Sequence, residues 1–166
     1  MQQIEWKTWL ERYDTEAELS VPEQQLVESA RKATYQSHAP YSHFHVGAAI
    51  LLENGQVFTA GNQENAAYPN GSCAETSVIH WVGANFPSVK MLAIAIVARP
   101  GEGAIFKAVA PCGICRQAML EYEVRQQQPI RVLMLGSDEG IIVSASVANL
   151  LPIQFDASGL HSDSIT

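Results

Sequence analysis

Met91-Leu92-Ala93-Ile94-Ala95-Ile96-Val97-Ala98 is an unbroken apolar run. A strand with one wet face alternates apolar and polar residues, whereas a strand covered on both faces reads as continuous. The run is also far below the ~18 residues of a membrane span. It therefore predicts a central strand with helices on both sides. Working outward, Cys73 to Ala84 reads as a helix before the run, and Gly113 to Val124 as a helix after it, opened by Pro111. Ile130 to Leu135 and Ile141 to Val143 read as strands around a turn, Ser137-Asp138-Glu139-Gly140. Ser146 to Leu151 follows as a short helix ended by Pro152. In the other direction, Phe44 to Leu52 and Gln56 to Ala60 flank the turn Glu53-Asn54-Gly55 as a hairpin. Ser20 and Pro22 announce a helix whose face runs through Leu26, Val27, Ala30, Ala33 and Thr34 before Pro40 breaks it. The expected fold class is α/β, a three-layer α/β/α sandwich with a mixed sheet of about five strands.

This is one domain, 22–166, in a chain of 166 residues, preceded by an N-terminal extension, 1–21. Within the extension, Trp6, Trp9, Leu10 and Tyr13 fall at i, i+3, i+4 and i+7 and predict one face of a short helix. That helix reads as an added packing element packed on the domain, with a partner-binding arm as the alternative.

Hydrophobic residues make up 47% and charged residues 16%, which excludes bulk disorder. The net charge of −7 argues against a protein that lives on a nucleic-acid backbone, since phosphate binding needs a basic footprint. The expectation is accordingly no nucleic acid and no membrane. Met1-Gln2-Gln3-Ile4-Glu5-Trp6 lacks the basic-then-apolar pattern of a secretory signal, so the expected compartment is cytoplasmic.

All three cysteines sit in two short motifs, Cys73-Ala74-Glu75 and Pro111-Cys112-Gly113-Ile114-Cys115. Reduced cytosolic thiols that cluster point to metal or catalysis before disulfides. Cys112 and Cys115 are spaced to aim two sulfurs at one ion, and Cys73 supplies a third. Three protein ligands leave a fourth tetrahedral position for water, the mark of a catalytic rather than a closed structural zinc. Helix N-termini favour the thiolates. Glu75, two residues past a ligand, is placed to take a proton from that water and pass it on. A redox dithiol leaves Cys73 unexplained. A structural zinc needs a fourth ligand, and none of His38, His43, His45, His80 or His161 has motif-like spacing to the cysteines.

With these motifs on view, the chain resembles the small zinc-dependent cytidine deaminases from about residue 22 to residue 156. The resemblance rests on Ala39-Pro40-Tyr41-Ser42-His43-Phe44-His45-Val46-Gly47-Ala48-Ala49, on Asn62-Gln63-Glu64-Asn65-Ala66-Ala67-Tyr68, on the two cysteine motifs extended by Arg116-Gln117, and on Leu150-Leu151-Pro152-Ile153-Gln154-Phe155. It implies a cytidine-deaminase-like fold and Zn2+ held by Cys73, Cys112 and Cys115. Glu75 would be the catalytic proton shuttle. It further implies that Asn62 and Glu64 bind the ribose hydroxyls, that Phe44 packs on the nucleoside, and that the backbone N–H of Ala74 reads the base edge. Phe155 would reach the site of a neighbouring subunit in a homotetramer. The implied reaction is hydrolytic deamination of cytidine and 2′-deoxycytidine to the uridines plus ammonia, in pyrimidine salvage, with a zinc-activated hydroxide as nucleophile. Alternatives are a deaminase of modified cytidines or of a cytosine-containing antibiotic, and, in a different class, a non-catalytic zinc-binding assembly subunit. One position departs from the family pattern: Thr76 stands where an Arg commonly follows Cys-Ala-Glu. That Arg offsets the negative charge of a zinc held by three thiolates. Here Arg116 or a group from another subunit is the expected substitute.

Overall fold

The computed structural model describes residues 1–135 and 140–157. Ser137, Asp138 and Glu139 of the expected turn, and His161, lie outside the described residues. The elements are β1 (Glu11–Tyr13), α1 (Val21–Ala33), β2 (Phe44–Leu52), β3 (Val57–Gly61), α2 (Ala74–Asn85), β4 (Met91–Pro100), α3 (Gly113–Gln126), β5 (Arg131–Leu135) and β6 (Ile141–Ser144). The strands form one six-stranded sheet in the order β1-β6-β5-β4-β2-β3. Only β4 and β5 are parallel, and α3 is the crossover that a parallel pair requires.

The apolar run is the middle of this sheet, and its alternation sorts the core. Ile94 and Ile96 face α2 and α3, where they join Ile50, Leu52, Val78, Ile79, Val82, Met119 and Leu120. Ala93, Ala95 and Val97 face α1, with Leu26, Val27, Ala30 and Ala49. The α1 side is paved with small residues, so α1 approaches closely. A Cβ added at Gly47 would stand 2.1 Å from the Ala30 carbonyl oxygen. Ser20 caps α1 as its sequence suggests: its backbone N–H and its hydroxyl donate to the Glu23 carboxylate at 3.0 and 2.6 Å.

The N-terminal residues correct one expectation. No helix forms over Trp6 to Tyr13; instead β1 pairs antiparallel with β6, Glu11 opposite Val143 and Tyr13 opposite Ile141. Trp6, Trp9 and Leu10 are 62%, 74% and 53% exposed, so their spacing marks no buried face. The edge of β6 offers unpaired N–H and C=O groups, and pairing with them outweighs a helix too short to hold itself. This strand is the sixth beyond the expected five. Arg131 fastens it, donating to Glu11 at 2.8 Å, to the Tyr13 hydroxyl at 2.9 Å and to Glu23 of α1 at 2.8 Å. The expected helix over Ser146 to Leu151 contracts to a single 3-10 turn, Ala148–Leu150, before Pro152. No helix among the described residues is long and apolar enough to cross a membrane.

Candidate active site

Cys73 is the N-cap of α2 and Cys112 the N-cap of α3; neither side chain caps its own helix. Their sulfurs are thereby free to point elsewhere. Cys115 sits in the first turn of α3 and is buried. The three Sγ atoms lie within 4.8 Å of one another, and Cys112 Sγ is 3.4 Å from Cys115 Sγ. A tetrahedral zinc with Zn–S bonds of ~2.3 Å needs sulfurs ~3.8 Å apart, so this cluster fits the ion without rearrangement of the backbone. Among the described residues it is the one group of three or more His, Cys, Asp or Glu side chains with that closeness. Both helices direct their partly positive N-termini at it.

Glu75, the second residue of α2, is 5% exposed. Burial pushes its pKa above the ordinary carboxylate value, against the hydrogen bonds its carboxylate accepts. A carboxyl group with a raised pKa keeps a proton more readily than an ordinary carboxylate, which suits a proton carrier. Cys73, Ala74, Glu75 and Cys112 form one wall of a cavity of ≈ 560 Å³. Asn62 and Glu64 line the same cavity, together with Tyr41 and Ser42 from the turn before β2.

Glu64 is fixed by hydrogen bonds to one carboxylate oxygen, from the backbone N–H groups of Tyr41 at 2.9 Å and Ser42 at 3.3 Å. Hydrogen bonding from the Ser42 hydroxyl, then from the Tyr41 backbone, holds its pKa below the ordinary value. It is therefore an ionised acceptor with lone pairs to spare for a hydroxyl. Asn62 bridges the backbone of β2: its Oδ1 accepts from Val46 N–H at 2.8 Å and its Nδ2 donates to the Phe44 carbonyl at 3.1 Å. One amide hydrogen is left for a ligand.

Two sequence-nominated residues stand apart from this cavity. Phe44 opens β2 at 37% exposure and does not line it, although Val46 on the same face does. Phe155 is 62% exposed and outside the cavity of its own chain. His45 alternates with Phe44, is buried on the other side and pairs with the Ser37 hydroxyl at 2.6 Å.

Thr76, in the place of the customary Arg, brings its hydroxyl to 3.5 Å from Cys115 Sγ. Arg116 does not take that role: its guanidinium is engaged by the carbonyls of Pro111 and Leu150. Tyr68 and Tyr41, packed edge to face at 6.1 Å, line the cavity as well. Both stand in the sequence motifs above with no role attached, because a Tyr in a polar loop carries no signal of where its ring lies.

The sequence model described as the cytidine and deoxycytidylate deaminase zinc-binding region matches residues 20–128, a span that contains all three cysteines and Glu75. The chain belongs to this deaminase family. Among its relatives, the cytidine deaminase of Sporosarcina psychrophila is 38% identical over 138 residues, covering 82% of this chain and 93% of that protein. The cytidine deaminase of Halalkalibacterium halodurans is 34% identical over 138 residues, covering 83% and 97%. Of solved structures, the cytidine deaminase of Burkholderia pseudomallei superposes with a TM-score of 0.66 at 34% identity, covering 79% of this chain and 97% of that one. Family membership and the sulfur cluster together make zinc the cofactor of this deaminase fold.

Proposed function

We propose that this chain deaminates cytidine and 2′-deoxycytidine hydrolytically, giving the uridines and ammonia, and that Cys73, Cys112 and Cys115 hold the zinc. The observation that carries the reading is the cavity itself: two members of a three-sulfur cluster and a buried carboxyl line it together with an ionised carboxylate and an amide. When bound, zinc acidifies a water molecule and so makes a nucleophile available at neutral pH. Glu75 takes the proton of that water and delivers it to N3 of the pyrimidine. A C4–O bond forms. Glu75 then takes the proton of the new C4 hydroxyl and passes it to the exocyclic amine, the C4–N bond breaks as the C4 carbonyl forms, and ammonia departs. Glu64 accepts from a ribose hydroxyl, and Asn62 donates its remaining amide hydrogen to another. Ala74, at the start of α2, presents its backbone N–H to the base edge, since the first N–H groups of a helix have no intrahelical partner. Phe44 flanks the nucleoside, and Phe155, exposed in the single chain, completes the site of a neighbouring subunit in a homotetramer. Three free cysteines suit the reduced cytoplasm and a role in pyrimidine salvage.

The test is Glu75→Gln in zinc-loaded protein. Turnover of cytidine, followed by absorbance, falls by at least ~10²–10⁴-fold while zinc content stays at one ion per chain. Turnover near the parent level would refute the assignment of Glu75. Running N4-substituted cytidines and cytosine beside cytidine and deoxycytidine separates the ordinary nucleosides from modified ones.

A further inference from the structure

Arg116 and Gln117 follow directly on the last cysteine, and the reaction described above uses neither. Their side chains nevertheless go to specific backbone atoms. Arg116 Nε donates to the Pro111 carbonyl at 2.8 Å, and its Nη1 donates to the Leu150 carbonyl at 3.0 Å. Gln117 Nε2 donates to the Phe155 carbonyl at 2.8 Å. The Pro111 carbonyl belongs to the peptide unit that leads into Cys112. That cysteine is held less firmly by its own helix than Cys115 is. Cys115 is buried in a helical turn, whereas Cys112, like Cys73 at the head of α2, is exposed, lies outside its helix as the N-cap, and makes no side-chain cap bond. The first turn of α3 adds its ordinary helical bond, from the Arg116 backbone N–H to the Cys112 carbonyl at 2.9 Å. The opposite end of the same guanidinium holds the start of the segment Leu150–Phe155, which is largely exposed and is tethered again at Phe155 by Gln117.

We propose that Arg116 is a positioning residue that sets the Cys112 sulfur relative to Cys115 and makes its placement depend on the docking of the segment that begins at Leu150. A planar guanidinium with donors fixed in a fork can hold two carbonyls in one relative geometry; an ammonium on a flexible stem cannot. Gln117 tethers the far end of the segment without touching the cysteine turn. The proposal rests on Cys112 being a zinc ligand.

Zinc retention is the readout. Zinc-loaded protein is titrated with a chromogenic chelator, and thermal unfolding of the metal-free form is recorded alongside. Arg116→Gln weakens zinc binding by ~10–100-fold, the range seen when partners that orient metal ligands are removed. Arg116→Lys, which keeps one carbonyl at a time, falls between that variant and the parent. Gln117→Ala, which frees only the Phe155 end, retains zinc like the parent. Parent-like zinc affinity in Arg116→Gln overturns the proposal, even where its metal-free form melts earlier, because a merely structural arginine would show only the second effect. Should the glutamine variant fail to fold, parent-like affinity in Arg116→Lys overturns it. A parent chain that binds no zinc removes the ligand assignment itself, and that failure is distinct from one confined to the variants.

Discussion

Glu123 of α3 is buried and accepts three hydrogen bonds from backbone N–H groups. One oxygen accepts from Ile130 N–H at 2.8 Å and Val147 N–H at 2.7 Å, and the other from Ala148 N–H at 2.9 Å. It thus ties the end of α3, the start of β5 and the turn that launches Leu150–Phe155 into one knot. Glu123→Ala strands these donors. The bonds to Ile130 and Val147 are buried, and each unsatisfied buried group costs ~1–3 kcal/mol, so the loss is ~2–6 kcal/mol. Ala148 is half-buried and finds water, so it adds little. For a chain of this length 1 kcal/mol moves Tm by ~2–4 °C, so the alanine variant melts at least ~4–8 °C earlier. Glu123→Gln keeps one carbonyl oxygen for two of the donors but sets its amide against the third, donor to donor, and loses about half as much. Calorimetry and urea titration of zinc-loaded protein measure both, with an unchanged m-value showing that the unfolded state is the same. An alanine variant that melts within 1 °C of the parent would refute the reasoning, as would a glutamine variant less stable than the alanine one.

Acid should release β1. Arg131 and then Tyr13 hydrogen bonds hold the Glu11 pKa below the ordinary carboxylate value of about 4.5. Burial works against the same shift in Glu23, but hydrogen bonds from Ser20 and Arg131 outweigh it. Folded-state pKa values that are depressed give stability that is full above about 4.5 and lost as pH falls through them. Amide protection factors over Glu11–Tyr13 therefore drop below that pH, and Arg131→Met lowers them at neutral pH too; protection unchanged down to pH 3 would contradict this. Gly47→Ala forces a Cβ against the Ala30 carbonyl and the Thr34 amide, both backbone, so α1 must shift off β2. The substitution costs ~1–3 kcal/mol or more, and a melting temperature equal to the parent's would show that α1 is free to yield.

The central strand and the two cysteine-headed helices were legible because their signals are local. An apolar run of strand length and a Pro-Cys-Gly helix start leave little for tertiary context to overrule. β1 was not legible. Its spacing is genuinely helical, yet the outcome depends on an edge of β6 that begins more than a hundred residues later. Asn62 and Glu64 line the cavity and Phe44 does not, because the alternation of a strand is local but the curvature that closes a pocket is not. Arg116 shows the same limit from another direction. A sequence announces a cation near three sulfurs, but not that backbone carbonyls have already claimed it.

The convergence of the site follows from strand direction alone. A short connection leads from the C-terminal end of α2 into the start of β4, so α2 runs against β4 and its N-terminus returns to the far end of that strand. The helix α3 leaves from that same far end and must also run back, because β5 starts beside the start of β4 and parallel to it. Both N-caps, Cys73 and Cys112, therefore lie at the C-terminal end of β4, the edge at which open α/β sheets bind their ligands. The hairpin adds the other wall by the same logic. Antiparallel pairing sets Phe44 opposite Pro100, and Gly61 opposite Gly47, so the chain that continues into Asn62 and Glu64 emerges at that end as well. A metal turn, a proton carrier and a polar wall from three separate stretches of sequence thus meet at one end of the sheet. What topology cannot supply is sub-ångström placement of an exposed cysteine, and that is the task the geometry leaves to the guanidinium of Arg116.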